Sequence, residues 1–290
     1  MPAKLRHKEM IVGVVFALPC IAGFIVFFAA PFLISLYYCF TKGIGGTEFV
    51  GIENFVSLLQ SDSFRMAAVN TFKFNMVSVP VIMIISLSLA ILLNSKAKGV
   101  SSFKTFFILP LVIPVASVIL VWQIIFGEYG CLNGILAELG FQTVDWLNTG
   151  WSFYILVMLY VWKNCGYNIV LFLAGLNNIP REYYESAWID GAGRFTCFLK
   201  ITVPFLIPTG FFVFIISIIN SFKVFREAYL LAGSYPFFDI YMLQHFMNNN
   251  FNNLNYQRLS TAAFIIIVII VVLVQFLFRL EKRFSRNLNH

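Results

Sequence analysis

Charged residues are scarce in this 290-residue chain: they make up 11% of it, against 60% hydrophobic and 18% aromatic residues. An average soluble domain carries about 25% charged residues, and a water-soluble core could not cover so much apolar surface. We therefore expect the lipid bilayer to be the solvent for most of the chain. The net charge of +7 does not indicate nucleic-acid binding, because the basic residues lie between apolar runs rather than on one face.

The sequence is also poor in motifs for metal, redox or hydrolytic chemistry. Its cysteines show no C-x-x-C spacing, and its three histidines have no partner at metal-ligand spacing. No predicted membrane span contains Asp or His, so neither a bound metal nor an intramembrane enzyme is expected. A G-x-x-x-x-G-K-[ST] motif is missing as well, and the energy of ATP would have to come from another polypeptide.

Six apolar runs are long enough to cross a bilayer, which requires about 20 residues each. They lie at 11–38, 73–93, 105–126, 152–176, 203–224 and 260–279. The predicted fold is an all-α, polytopic membrane protein, with residues 1–290 forming one transmembrane domain. Pro110 and Pro114 should bend the third span, and residues 47–74 should form short interfacial helices before the second.

Thirteen of the twenty basic residues fall on one side of these spans. They belong to both termini and to the second and fourth loops: Lys4, Arg6, Lys8, Lys96, Lys98, Lys104, Arg181, Arg194, Lys200, Arg279, Lys282, Arg283 and Arg286. The opposite side has Lys42, Arg65, Arg226 and Arg258. The positive-inside rule therefore predicts that both termini and the loop at 177–202 are cytoplasmic.

That fourth loop is unusually polar, with two Glu, one Asp, two Arg and one Lys in residues 181–200. We expect a short helix, a turn at Gly191 and Gly193, and a second helix that starts near Ala192 and is capped by Asp190. An apolar patch is expected on it, formed by Tyr183, Tyr184, Ala187 and Trp188. Two interpretations stay open: the hairpin lies in the lipid headgroups, or it projects into the groove of a cytoplasmic partner.

A motif in this loop resembles a known family. Glu185-Ser186-Ala187, three residues, Gly191, nine residues, Ile201, one residue and Val203-Pro204 resemble the pattern E-A-A-x3-G-x9-I-x-L-P of the inner-membrane permeases of ABC importers. Ser186 and Val203 are mild departures from it. Further stretches are similar to the carbohydrate-uptake branch of maltose- and lactose-type permeases, so the likeness covers nearly the whole chain: FVGIENFVSLL, ILPLVIPVAS, WKNCGYNIVLFLAGLNNIP and SFKVFREAYLLAG.

The resemblance implies a permease subunit, not an enzyme, that forms half of the path for a sugar or oligosaccharide across the bacterial cytoplasmic membrane. A permease for a non-sugar solute is the alternative. The implied partners are membrane lipid, a second homologous permease, an extracytoplasmic sugar-binding protein and two ATPase subunits, which would hold ATP and Mg, with no cofactor on this chain. The loop at 177–204 would couple the permease to the ATPase through Glu182, Glu185, Ser186, Ala187, Asp190 and Gly191.

Polar side chains inside the spans form a second candidate site, because such groups are costly at membrane depth and by default mark a pathway. The candidates for contact with a sugar are amides, which bond to hydroxyls, and aromatic rings, which stack on C–H faces: Gln123, Tyr160, Asn164, Tyr167, Asn168 and Asn220. The alternative for the amides is hydrogen bonding between helices. Lys163 and Lys223 are expected to extend towards an outer surface.

Overall fold

The computed structural model describes residues 3–43, 45–94 and 100–288, so Lys96 and Lys98 lie outside the described residues. Within these ranges the regular secondary structure is helical apart from one antiparallel β-ribbon, in which β1 (Thr41–Lys42) pairs with β2 (Glu48–Phe49). The α-helices are α1 (Ala3–Phe24), α2 (Ala30–Cys39), α3 (Glu53–Gln60), α4 (Asp62–Leu93), α5 (Val100–Val112), α6 (Val115–Phe126), α7 (Cys131–Glu138), α8 (Trp151–Asn177), α9 (Arg181–Ile189), α10 (Arg194–Cys197), α11 (Val203–Phe222), α12 (Phe225–Ala232), α13 (Leu243–Asn252) and α14 (Tyr256–Leu288).

Six helical stretches of the described residues are long and apolar enough to cross a membrane. They are Val12–Cys39, Asp62–Leu93, Val115–Glu138, Trp151–Asn177, Arg194–Ala232 and Tyr256–Leu280. The predicted all-α class and the six spans are confirmed. The orientation of the termini stays a prediction.

The segment before the second span differs from the prediction. Only α3 is a separate short helix, because Ser61 is extended and ends it. The helix α4 then starts at Asp62, eleven residues before the predicted start of the span, and runs without a break to Leu93. Asp62 favours this start, since a carboxylate in the first turn is stabilised by the helix dipole.

The third span is interrupted rather than bent. Helix α5 ends at Val112 and α6 begins at Val115, and Pro114 between them has extended backbone angles. Pro114 has no N–H to continue the helical ladder, and its ring disfavours helical geometry at Ile113. Pro110, by contrast, lies inside α5. Ile113 and Pro114, at the interruption, line the cleft described below.

The described residues group into two compact units, one made of the chain up to Ser61 with Met247–Val268, the other of Asp62–Phe246 with the chain from Ile269. In the first unit most apolar side chains of the first span are exposed, as with Phe16 and Phe27, which suits contact with lipid. The second unit holds both candidate sites.

Helix α8 is the core of this second unit and packs against α4, α5 and α11. Two glycines allow these close approaches. A Cβ on Gly166 would lie 1.9 Å from the carbonyl oxygen of Phe107 in α5, and one on Gly175 would lie 2.7 Å from Oγ1 of Thr209 in α11. Small residues let helix backbones pack closely in membranes, where packing rather than the hydrophobic effect joins helices.

Candidate functional site

The polar hairpin begins with α9 and turns at Gly191. The Gly191 N–H donates to the Trp188 carbonyl at 3.1 Å, and the Ala192 N–H donates to the Ala187 carbonyl at 2.8 Å. This pair of bonds is a Schellman motif, which requires a left-handed residue after the helix. Gly191 supplies it with a φ of 78°, and the predicted turn at this residue is confirmed.

The second helix of the hairpin starts later than predicted. Gly193 is the N-cap of α10, which begins at Arg194, and its cap carries no side-chain hydrogen bond. Asp190 lies instead at the C-cap of α9, so the prediction that it caps the second helix is wrong. The Schellman turn takes up the two residues after Asp190 and separates its carboxylate from α10. The chain then passes through a π-helical turn, Phe198–Thr202, into α11.

Two tyrosines fix α9 to the start of α11. The Tyr184 hydroxyl is 2.8 Å from Oγ1 of Thr202, and the Tyr183 ring lies 4.8 Å from the Phe205 ring. Of the predicted apolar patch, Tyr184 and Ala187 are half-buried, while Tyr183 and Trp188 are exposed. Part of the predicted patch therefore attaches α9 to the start of α11 instead of facing a partner.

The hairpin exposes both carboxylates and apolar side chains on its outer surface. Five of the six predicted coupling residues are exposed there: Glu182, Glu185, Ser186, Asp190 and Gly191. Trp188 is 59% exposed and Ile189 is 87% exposed. Large exposed apolar side chains beside carboxylates form a surface that a partner could bury.

A cleft of about 730 Å³ lies between α8, the α5–α6 interruption and the α11–α12 segment. Four of the predicted pathway residues line it: Tyr160, Asn164, Tyr167 and Asn220. The Tyr160 ring is buried and its hydroxyl donates to the Ser217 carbonyl at 2.7 Å, while Asn164 donates to the Tyr160 carbonyl at 2.9 Å.

The other two predicted pathway residues join helices instead. The Gln123 amide in α6 donates to the carbonyls of Leu230 and Leu231 in α12, at 3.2 and 3.3 Å. The Asn168 amide is buried and donates to Oγ of Ser217 at 2.9 Å. Neither side chain lines the cleft. For these two amides the geometry favours the helix-joining interpretation.

A buried ion pair forms the inner wall of the cleft. Lys163 Nζ bonds to Glu227 Oε1, and their side chains are 8% and 7% exposed. Lys163 is twelve residues from the start of α8, about 18 Å along the helix, so the pair lies near mid-span. The prediction that Lys163 extends to an outer surface is wrong, because a carboxylate meets it inside the protein and removes the need to reach water.

Two further cations share this cleft. Arg226 Nη2 lies 3.7 Å from the same Glu227 oxygen, and its side chain is 64% exposed. Lys223 is exposed, and its Nζ lies 3.5 Å from Oδ1 of Asn220. The second oxygen of Glu227, Oε2, is buried and accepts no hydrogen bond from the described residues.

Comparison with known proteins identifies the family. The model for binding-protein-dependent transport system inner membrane components matches residues 82–289, which include both the hairpin and the cleft. The chain belongs to this family. The permease is 36% identical, over 78% of its length and 74% of the relative's, to the arabinooligosaccharides transport system permease protein AraP of Bacillus subtilis.

A second relative of the permease is the trehalose/maltose transport system permease protein MalF of Thermococcus litoralis, 34% identical over 81% of this chain and 82% of that one. A crystal structure of a bacterial alginate ABC transporter in complex with an alginate pentasaccharide-bound periplasmic protein matches with a TM-score of 0.80 at 24% identity, covering 95% of this chain and 96% of the matched one. At that identity the match shows the fold alone. The family membership makes the chain a multi-pass inner-membrane transport subunit and not an enzyme.

Sequence reasoning missed Glu227 and Arg226 of the permease because the fifth span was ended at residue 224. In the structure α12 follows directly, and its Glu227 faces the middle of α8. One signal was available: a lysine in the middle of an apolar helix requires a counter-ion, and only thirteen acidic residues exist to supply it.

The position of α12 in the permease is supported by a buried histidine. The His245 ring packs 4.8 Å from the ring of Phe225, the first residue of α12, and His245 Nδ1 accepts the Met242 N–H at 3.1 Å. Burial lowers the pKa of His245 to about 4, so the ring is neutral at neutral pH. A neutral ring against Phe225 holds the start of α12 without adding another charge.

Proposed function

We propose that this permease forms half of the path for a sugar or oligosaccharide in an ATP-driven importer. The observation that carries the proposal is the cleft beside mid-span, whose lining includes the amides of Asn164 and Asn220 and the accessible ring of Tyr167. Amides bond to hydroxyls and rings cover C–H faces, which is the lining that a saccharide requires. The relatives that are named as permeases for arabinooligosaccharides and for trehalose and maltose support the same class.

The hairpin is the proposed point of coupling to a separate ATPase. Exposed Trp188 and Ile189 offer apolar area, Glu185 and Asp190 offer charge, and the two tyrosine contacts fix α9 to α11. Movement of a partner against α9 would therefore be transmitted directly into the fifth span. A partner whose nucleotide state biases two conformations of the path satisfies the requirement for switching.

The same proposal implies an assembly. It consists of this chain, a second homologous permease, two ATPase subunits that carry ATP and Mg, and an extracytoplasmic sugar-binding protein. The family description, a binding-protein-dependent system, supports the last of these. The energy source and the cofactors would then lie on the partners rather than on this chain.

The orientation is tested by labelling single cysteines in a cysteine-free chain. A thiol reagent that does not cross membranes should label Gly140→Cys in intact cells and Gly193→Cys only after the cells are opened. Nothing lies within 4 Å of an added Cβ at either position; the φ of 79° at Gly140 strains a Cys there, so assembly of that variant is checked before labelling. Labelling of Gly193→Cys from outside would reverse the orientation and remove the coupling role of the hairpin.

Transport is tested with the assembled importer in lipid vesicles. Uptake and ATP hydrolysis are measured with arabinose, maltose and galacturonate oligosaccharides, and with an amino acid and inorganic phosphate as non-sugar solutes. At least one saccharide should stimulate both activities, and chelation of Mg should abolish them. Stimulation by a non-sugar solute alone would establish the alternative permease, and uptake by this chain without partners would exclude the importer.

A further inference from the structure

We propose that the cargo of this permease carries an anionic group, which the cleft binds between Lys223 and Arg226. An acidic oligosaccharide, with a carboxylate on at least one ring, is the chemical class that fits. The inference rests on the proposed function, because it assigns a charge to the saccharide that the cleft would hold.

The charges that line the cleft do not balance. Lys163, Lys223 and Arg226 are three cations, and Glu227 is the one carboxylate among the lining residues. A single oxygen of Glu227 bonds to Lys163 and faces Arg226 at 3.7 Å. Two positive charges are therefore left over in a cleft whose remaining wall, at the α5–α6 interruption, is apolar. An anion that enters the cleft would therefore meet two cations in excess of the one carboxylate.

The two surplus cations are accessible, unlike Lys163. The Arg226 side chain is 64% exposed and its nearest carboxylate is already bonded to Lys163. Lys223 is exposed, and its Nζ faces the neutral amide of Asn220 at 3.5 Å. Among the described residues no carboxylate oxygen is recorded within 4.0 Å of Lys223 Nζ. The Arg226 N–H donates to the Lys223 carbonyl at 3.4 Å, so both cations belong to one turn of the chain.

An acidic saccharide matches this lining group by group. Its carboxylate would accept charge-assisted hydrogen bonds from the ammonium of Lys223 and the guanidinium of Arg226. Its hydroxyls would bond to Asn164 and Asn220, which line the same cleft. A neutral saccharide would shield both cations from water without supplying an anion. The cleft would therefore bind it less tightly than an acidic saccharide.

The test uses the importer complex without its binding protein, so that selection by that protein does not enter. The complex is placed in nanodiscs of zwitterionic phosphatidylcholine, and dissociation constants are measured for digalacturonate and for the matching neutral digalactoside. We expect digalacturonate to bind at least tenfold more tightly. Lys223→Gln and Arg226→Gln should each weaken digalacturonate about tenfold and leave digalactoside unchanged. Arg226→Lys should restore most of the loss, and Lys200→Gln, outside the cleft, should have no effect.

The outcomes separate this inference from the function on which it rests. Equal affinity for the two saccharides in the unaltered complex would overturn the anionic cargo and leave the saccharide function intact. Binding of neither saccharide by this complex would overturn the inference, whereas the saccharide function fails only if the complete importer, with its binding protein, takes up no saccharide. A third outcome is that the two saccharides bind equally and both substitutions change only the affinity for phosphatidylglycerol in mixed nanodiscs. The anion in the cleft would then be a lipid headgroup, and the inference would also be overturned. The wild-type comparison decides the question even if a substituted chain fails to assemble.

Discussion

The hairpin and the cleft both concentrate charge in a chain that has little of it, and they do so in opposite environments. In the hairpin Glu182, Glu185 and Asp190 are exposed on a short helix, where each can be solvated. In the cleft Lys163 and Glu227 are withdrawn from solvent and depend on each other. An exposed charge can be replaced at small cost to folding, whereas a buried charge that loses its partner is expensive. We therefore expect substitutions in the hairpin to impair function with little loss of stability, and substitutions that break the buried Lys163–Glu227 pair to impair both.

The largest expected effect is that of breaking the buried ion pair. Glu227→Ala leaves Lys163 charged inside α8, and we expect a loss of about 3–5 kcal/mol in the free energy of unfolding. The measurement is the unfolding midpoint of the purified complex. The double variant Lys163→Met/Glu227→Leu removes both charges and should recover most of the stability, because an apolar pair of similar volume leaves no buried charge.

A matched control for the ion pair exists on the surface. Lys42 Nζ lies 3.1 Å from Glu53 Oε1, and the two side chains are 60% and 59% exposed. Glu53→Ala should change stability little, since exposed pairs contribute little. Equal losses for Glu227→Ala and Glu53→Ala would show that the cleft pair is solvated, and the contrast between the two regions would disappear.

A smaller loss of stability, with a large loss of function, is expected at Gly191. Nothing lies within 4 Å of an added Cβ there, so Gly191→Val acts through its φ of 78° alone. A β-branched residue in the left-handed conformation costs about 1–2 kcal/mol. We expect the turn to rearrange in order to relieve this strain, and the rearrangement should displace α9 from its contacts with α11. Saccharide-stimulated ATP hydrolysis and uptake should fall together, about tenfold, in a complex that still assembles.

Gly193→Val is the control for Gly191, because Gly193 has a φ of −74° that any residue adopts and equally open surroundings. It should leave hydrolysis and uptake unchanged. If Gly191→Val retained both activities in a fully assembled complex, the hairpin would be a passive surface element.

The two regions also differ in how far the sequence predicts them. The hairpin is local: its glycine turn and its exposed carboxylates follow from residues within one short segment. Only the start of α10 and its cap differ from the prediction, because a Schellman turn uses two more residues than a direct cap. The cleft is assembled from residues far apart in the chain. The distance between Lys163 and Glu227 is 64 positions, and no local pattern states that α12 turns back towards α8. For the same reason Gln123 and Asn168 could not be separated from Asn164 and Asn220 before the helices were placed.

The smallest expected effect tests whether the hairpin is rigidly attached to the fifth span. Tyr184→Phe keeps the ring and removes the hydroxyl that bonds to Thr202, whose side chain is buried. The loss of this bond should cost about 1 kcal/mol and loosen α9 without unfolding it. Backbone hydrogen exchange in α9 should accelerate about fivefold, with a modest fall in the uptake obtained per ATP hydrolysed. Tyr183→Phe is the control, since its ring contact with Phe205 does not involve the hydroxyl. Unchanged exchange in Tyr184→Phe would mean that ring packing alone attaches the hairpin, and that the polar contact to Thr202 adds nothing to coupling.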